Sequence, residues 1–196
     1  MKVLPLGHVA NVRTAVVFRS QAPQEVEGGN VRALAIRDVV AGGPLRIEEL
    51  PQIHIDESLQ LHCLHTGEVV LPSRGDHYRA LYFEGPADLV FPLGQLNIIT
   101  AGPEVNPRYL AWYLNSKSTQ TKISVMLTGT SIKAFTKASL LTLDIEIPSL
   151  EKQQVISELD RNTQDISAVR QRLNNLDQIE AAFVTQTLLR RGGGGA

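Results

Sequence analysis

Apolar residues change their spacing three times along this chain of 196 residues. Up to about residue 100 they come in short runs: Val31 to Ile36, Gly67 to Leu71, Ala80 to Phe83, Leu89 to Phe91 and Leu96 to Thr100. Runs of this length bounded by Gly, Pro or Asn predict β-strands. The clusters Gly28-Gly29-Asn30, Gly42-Gly43-Pro44, Arg74-Gly75-Asp76 and Glu84-Gly85-Pro86 predict turns between them. After Asn106-Pro107, a cap followed by proline at the first helical position, Tyr109, Leu110, Trp112, Tyr113 and Leu114 crowd a short helix that must be nearly buried. Ser116 or Ser118 caps a second helix bearing Ile123, Met126 and Leu127 and ending at Gly129, and Lys137 to Leu141 makes one more helical turn. Leu143, Ile145 and Ile147 then alternate with Asp144 and Glu146, the period of a strand with one wet face, and Pro148 stops it.

The last change of period is the longest. Ser149 caps a helix with Glu151 in its first turn, where a negative charge suits the helix dipole. Its apolar positions are Val155, Leu159, Ile166, Val169, Leu173, Leu176 and Phe183, a heptad pattern with Asn162 at one core position and with Ile156 and Ile179 widening the stripe. About 40 residues of helix span roughly 60 Å. A stripe this long exceeds what a domain of about 145 residues covers by itself, so it predicts a partner helix. The organisation expected is α+β: a β-rich domain with small helices over 1–148, a long helix over 149–191, and a flexible tail over 192–196.

Composition narrows the function classes. Hydrophobic residues at 43% and charged residues at 20% are those of a globular protein in water, without the long apolar run of a membrane span or signal peptide. The one cysteine, Cys63, forms no internal disulfide and fits a reducing, cytoplasmic setting. A net charge of −1 is weak for a protein that grips nucleic acid alone, because phosphate neutralisation supplies most non-specific affinity. Enzymatic readings fail on spacing. His54, His62, Cys63 and His65 do not follow a zinc pattern, and no nucleotide-binding lysine loop, dinucleotide fingerprint or nucleophile elbow is present. The chain is expected to be non-catalytic and to hold no metal or cofactor.

Three stretches carry a resemblance. They are Leu64 to Gly75, with a Gly-acid-hydrophobic strand ending in Ser73-Arg74-Gly75; Val105 to Ser116, followed after a helix by Thr128-Gly129-Thr130-Ser131-Ile132; and Leu143 to Ile156, where strand, proline and Glu151-Lys152-Gln153-Gln154 lead into the helix. In that order and spacing they resemble the specificity subunit of type I restriction-modification systems, namely one target-recognition domain and one spacer helix. The family's usual member holds two such units in tandem. The resemblance therefore implies a half-subunit that pairs with itself, its helices antiparallel, to read two inverted half-sites in double-stranded DNA. It also implies a modification subunit that binds the spacer helices, holds S-adenosylmethionine and carries the methyl transfer, with a restriction subunit as a further partner.

DNA contact needs donors on exposed loops. Arg74 matches the family's motif position. The composition of its loop adds Ser73, His77, Tyr78 and Arg79. Thr130, Ser131 and Lys133 form a second candidate loop suited to a phosphate, extended by Lys137. Solvated loops without a ligand are the bland reading of both, and Arg32 and Arg37 read equally well as surface ion-pair partners. Two other functions remain open at this stage: a stand-alone dimeric DNA-binding protein, which would want a more basic surface, and a protein-interaction scaffold that reads no DNA.

Overall fold

The computed structural model describes residues 2–18, 23–42, 44–86, 89–129 and 133–192. Its elements run β1 (Lys2–Pro5), α1 (Leu6–Val9), β2 (Ala10–Thr14), β3 (Val31–Leu34), α2 (Ile36–Val40), a 3-10 turn (Ile47–Glu49), β4 (Gln52–Ile53), α3 (Glu57–Gln60), β5 (Val69–Pro72), β6 (Leu81–Tyr82), β7 (Val90–Pro92) and β8 (Leu96–Ala101). Then come α4 (Pro107–Asn115), α5 (Lys117–Met126), α6 (Lys137–Leu141), β9 (Asp144–Ile147) and the long α7 (Leu150–Gly192). The fold is α+β, with mixed short strands and helices before one long C-terminal helix. Residues Met1–Glu158 form one compact unit and Leu159–Ala196 another, so the first two turns of α7 belong with the first unit.

The strands make three sheets. β2-β8-β5-β6 is antiparallel throughout; β4-β3-β7 pairs β3 with β4 antiparallel and with β7 parallel; β1 and β9 form an antiparallel pair. The central strands of the four-stranded sheet, β5 and β8, are buried on both faces, as their largely apolar sequence requires. Val69, Leu71 and Ile99 face a core shared with Tyr109, Leu110, Leu114, Ile123, Phe135 and Ile145, whereas Val70, Leu96 and Ile98 face a second core with Leu34, Phe83 and Val90. A third cluster joins Ile53, Cys63 and Phe91.

Local chemistry explains the elements after residue 105. Asn106 caps α4 through its side-chain oxygen, which accepts from the N–H groups of Arg108 (2.9 Å) and Tyr109 (3.1 Å). Ser116 caps α5, accepting from Thr119 N, and Thr136 caps α6, accepting from Ser139 N. α5 stops at Met126, ahead of Gly129, because Leu127 turns to an extended conformation to start the next segment; Gly129 takes a positive φ of 103° beyond the helix. The N-terminal residues, which carried no strand expectation, form β1. Its register sets Leu4 beside Ile145 and Lys2 beside Ile147, so the start of the chain flanks the strand that leads into α7.

That junction is held by buried polar groups. Gln153, fully buried, accepts from Asn106 N–H at 2.8 Å and donates to the carbonyls of Glu104 (3.0 Å) and Pro148 (2.9 Å). Ser157 Oγ donates to Asn106 Oδ1 (3.2 Å) and to Gln153 O (2.8 Å). Ile156 packs on the first core. It is therefore taken up by its own domain, contrary to the expectation that it widens the free stripe. Beneath the junction, Tyr109 Oη donates to Glu146 O at 2.7 Å and Tyr113 Oη to Asp144 O at 3.3 Å. Burial first, then Tyr113 and the Glu146 carboxylate, push the Tyr109 phenol up from 10.0 to about 12.

Two outcomes follow. Gln153→Ala leaves one N–H and two carbonyls without partners in a dry site, so thermal denaturation should show a loss of about 2–4 kcal/mol. Tyr109 stays neutral in the folded state at pH values where the unfolded chain ionises, so its contribution is complete below pH 10 and is lost as pH rises through about 12. Ultraviolet difference titration should show a phenol ionising near pH 12, and Tyr109→Phe should remove that step.

Candidate nucleic-acid interface

β5 ends at Pro72, and the chain enters the Ser73–Arg79 loop. Ser73 N–H donates to Gln95 O (2.9 Å), which continues the β5–β8 edge for one residue. Gly75, at φ 109°, then turns the backbone in a way that a side chain would resist. Across from this turn lies the segment after α5. Phe135 N–H donates to Ser73 O (2.9 Å) and Gly75 N–H to Lys133 O (3.2 Å), while Ala134 bridges antiparallel to both Arg74 and Thr128. Ala134 N–H donates to Thr128 O at 2.8 Å and Thr128 N–H to Ala134 O at 3.0 Å. The two candidate loops, more than 50 residues apart in sequence, thus meet in one small ribbon with Ala134 at its centre.

The underside of the ribbon is fixed by side chains that sequence reasoning did not single out. Asn115, the last residue of α4, grips Ala80 twice: its oxygen accepts from Ala80 N–H and its nitrogen donates to Ala80 O, both at 2.8 Å. Gln120 Nε2 donates to Tyr78 O (2.8 Å) and Leu114 O (2.7 Å). The available signal was weak: two amide residues near a helix boundary whose partners lie 35 and 42 positions away.

Seven of the nine expected residues fall among those described. Arg74, His77, Arg79, Lys133 and Lys137 are exposed and Ser73 is half-buried. Thr130 and Ser131 lie outside the described residues. Tyr78 departs from the expectation of an exposed donor. It is 5% exposed, its ring meets Phe135 edge-on at 6.0 Å, and its hydroxyl donates to Lys133 O at 3.0 Å. The apolar ring goes to the core while its polar tip takes up a ribbon carbonyl. Burial, and then the Asp76 carboxylate, raise its phenol above the ordinary range. Arg79 lies against the Gly42 turn, where a Cβ on Gly42 would come within 2.6 Å of its Nη1. Lys137 sits in the first turn of α6. The ribbon thus offers Arg74 and Lys133 as exposed cations from two strands, with His77 and Arg79 beyond the turn. Such a set can donate to phosphates and base edges.

Other cations are committed elsewhere. Arg13 pairs with buried Glu68 (2.8 Å) and donates to the carbonyls of His62 and Cys63, both at 3.0 Å. Arg32 donates to Glu48 O and Leu50 O, and Arg108 pairs with Glu84 and lies 4.5 Å from the Tyr82 ring centre. Cys63 is buried in an apolar cluster, and among the described residues no group of three His, Cys, Asp or Glu side chains is placed to hold a metal. No helix among them is long and apolar enough to cross a membrane.

On α7 the expected stripe is bare within this chain: Val155, Leu159, Ile166, Val169, Leu173 and Leu176 are 52–61% exposed, and Phe183 is 70% exposed.

Comparison with known proteins adds identity to this geometry. A family model described as the type I restriction modification DNA specificity domain matches residues 79–178, a stretch that includes Lys133, Lys137 and most of α7. The specificity subunit of the StySPI type I restriction enzyme from Salmonella potsdam is 32% identical over 80 residues, 40% of this chain and 17% of that protein. The HsdS subunit of Thermoanaerobacter tengcongensis is similar in structure, with a TM-score of 0.61 at 20% identity over 87% of this chain and 39% of that one. A chain from a structure of a type I R-M system gives 0.63 at 18% identity, covering 97% and 45%. The type I S subunit of M. genitalium gives 0.54 at 16% identity, covering 90% and 41%. These structures share the fold. The chain spans less than half the length of each relative.

Asn115→Ala should free both polar groups of Ala80 and loosen the loop. The expected result is faster hydrogen exchange at residues 73–80 and a stability loss of about 2 kcal/mol. Unchanged exchange there would mean that residues 133–135 and Gln120 hold the loop without Asn115.

Proposed function

Since the chain belongs to the type I restriction-modification DNA specificity domain family, we propose that it is a DNA-reading half-subunit: a non-catalytic module that pairs with a second copy and directs a modification subunit to a bipartite, inverted-repeat target. The observation that carries the DNA-reading part is the ribbon joining Arg74 and Lys133. The described ends of the second loop, Thr128 and residues 133–135, hydrogen-bond or bridge alongside residues 73–75, which brings donors from two parts of the chain to one place. The bare stripe on α7 supports the pairing part, because exposed apolar residues at heptad spacing gain most by covering one another. Antiparallel pairing would place one reading domain toward each end of the paired helices.

Net charge of −1 fits this division of labour. A module that contributes few phosphate contacts binds DNA weakly alone, and a methyltransferase that clamps the duplex supplies the remainder. Methyl transfer and S-adenosylmethionine binding belong to that partner in this reading, and so does contact with a restriction subunit where one is present. The exposed cations of the ribbon favour this reading over a scaffold that ignores DNA.

The test is methylation of a random-sequence DNA library by the complex with a type I modification subunit, read by sequencing. The expected motif is an inverted repeat. Arg74→Ala should relax readout at one base pair of each half-site, by about 1–3 kcal/mol of discrimination. Lys133→Ala should weaken all sites alike and reduce the salt slope by about one. Full target-dependent methylation by both variants, with the fold intact, would remove the ribbon from DNA reading. An asymmetric motif would remove the homodimer.

A further inference from the structure

The exposed seam of α7 carries two polar interruptions. Continuing its alternating steps of four and three past Leu176 places Glu180, Phe183 and Thr187 in the seam, so Asn162 and Glu180 both stand among apolar side chains. Both are exposed, and among the described residues neither hydrogen-bonds nor ion-pairs within the chain. We infer that a second copy closes this seam antiparallel about Gln171, with Asn162 of each helix opposite Glu180 of the other and the amide nitrogen donating to the carboxylate. The inference rests on the homodimer reading above and fixes its register.

The seam composition selects this arrangement. Centred on Gln171, Leu159 faces Phe183, Ile166 faces Leu176, Val169 faces Leu173 and Val155 faces the methyl-bearing Thr187. Every large apolar side chain at a seam position meets another or a methyl group, and the two polar ones meet each other. A shift of one heptad in either direction buries Glu180 against a valine, Val155 or Val169, and sets Asn162 against Leu173 or Thr187. A parallel pair stacks Glu180 on Glu180, carboxylate against carboxylate.

Flanking charges pull the other way. Parallel helices would set Asp165 beside Arg170 and Arg172 beside Asp177, whereas the register about Gln171 brings Arg170 and Arg172 near their own mates. Exposed pairs of this kind contribute little and are screened by salt. A carboxylate buried without a donor loses its hydration and gains nothing in return, which is the larger effect. The seam therefore decides over its flanks. Two consequences follow. Leu159 and its copy stand roughly 36 Å apart along the paired helices at 1.5 Å per residue. Salt tightens the dimer, because it screens the arginines gathered at its centre.

A double-mutant cycle on the full chain, read as the dimer dissociation constant by sedimentation equilibrium, tests this. Asn162→Leu alone leaves Glu180 of the second copy facing carbon and should loosen the dimer about tenfold. The same change made together with Glu180→Leu should tighten it, because the layer becomes apolar on both sides. An equal effect of Asn162→Leu in both backgrounds, or a dimer that loosens as salt is raised, overturns the register and leaves the homodimer standing. A chain with its helix intact by circular dichroism that stays monomeric at every attainable concentration overturns both.

Discussion

One buried amide governs how this chain is put together. Gln153 is fully buried, yet its amide oxygen and nitrogen are both engaged: the Asn106 N–H and the Glu104 carbonyl from one segment and the Pro148 carbonyl from another converge on it. A polar group so placed is stabilising only when every bond is made, which ties the first turn of α7 to a single position on the domain. The N–H it receives belongs to Asn106, whose side chain caps α4 and also donates to Gln154 at 3.0 Å. At the other end of α4, Asn115 grips Ala80 under the cationic ribbon. A short helix thus has the α7 junction at its N-terminus and the candidate reading loop at its C-terminus.

The charge distribution follows the same economy. Arg13 pairs with the buried Glu68 and two carbonyls, Arg32 donates to two carbonyls, and Arg108 pairs with Glu84 and lies across the Tyr82 ring, so all three are engaged within the fold. Arg74, His77, Arg79, Lys133 and Lys137 remain exposed around one ribbon and the helix that follows it. A formal charge near zero thus conceals a local division between structural and available cations. Counting residues cannot make that division, because a guanidinium under a carbonyl and one in water contribute the same unit to the total.

Much of the second half of the domain was legible in the sequence. Asn106-Pro107, Ser116, the alternation from Leu143 to Ile147, Pro148 and the heptad stripe each announce an element through local chemistry, and α4, α5, α6, β9 and α7 lie where those signals put them. The first half was read less completely. Five of its strands were visible as apolar runs, but β1, β2, β4 and the short helices α1, α2 and α3 carry no pattern long enough to distinguish them from loop. Of the candidate site, the exposed cations were legible because an arginine beside a glycine turn is a local pattern. Tyr78 was misplaced because its sequence neighbours are polar; only the position of Phe135, 57 residues on, shows that its ring has a core to enter.

What the sequence determined by itself was therefore everything that depends on near neighbours: caps, turns, strand alternation, and a helix whose apolar stripe exceeds its own domain's needs. What the tertiary structure decided was everything that depends on which distant segments share a surface. It brought Arg74 and Thr128 to either side of Ala134, gave Gln153 its three partners, and spent Ile156 on the domain core while leaving Val155 and Leu159 bare. The reason is physical: a local hydrogen bond needs only a few residues at the right offset, whereas a buried polar group or a two-loop ribbon needs groups that the chain brings together only after folding.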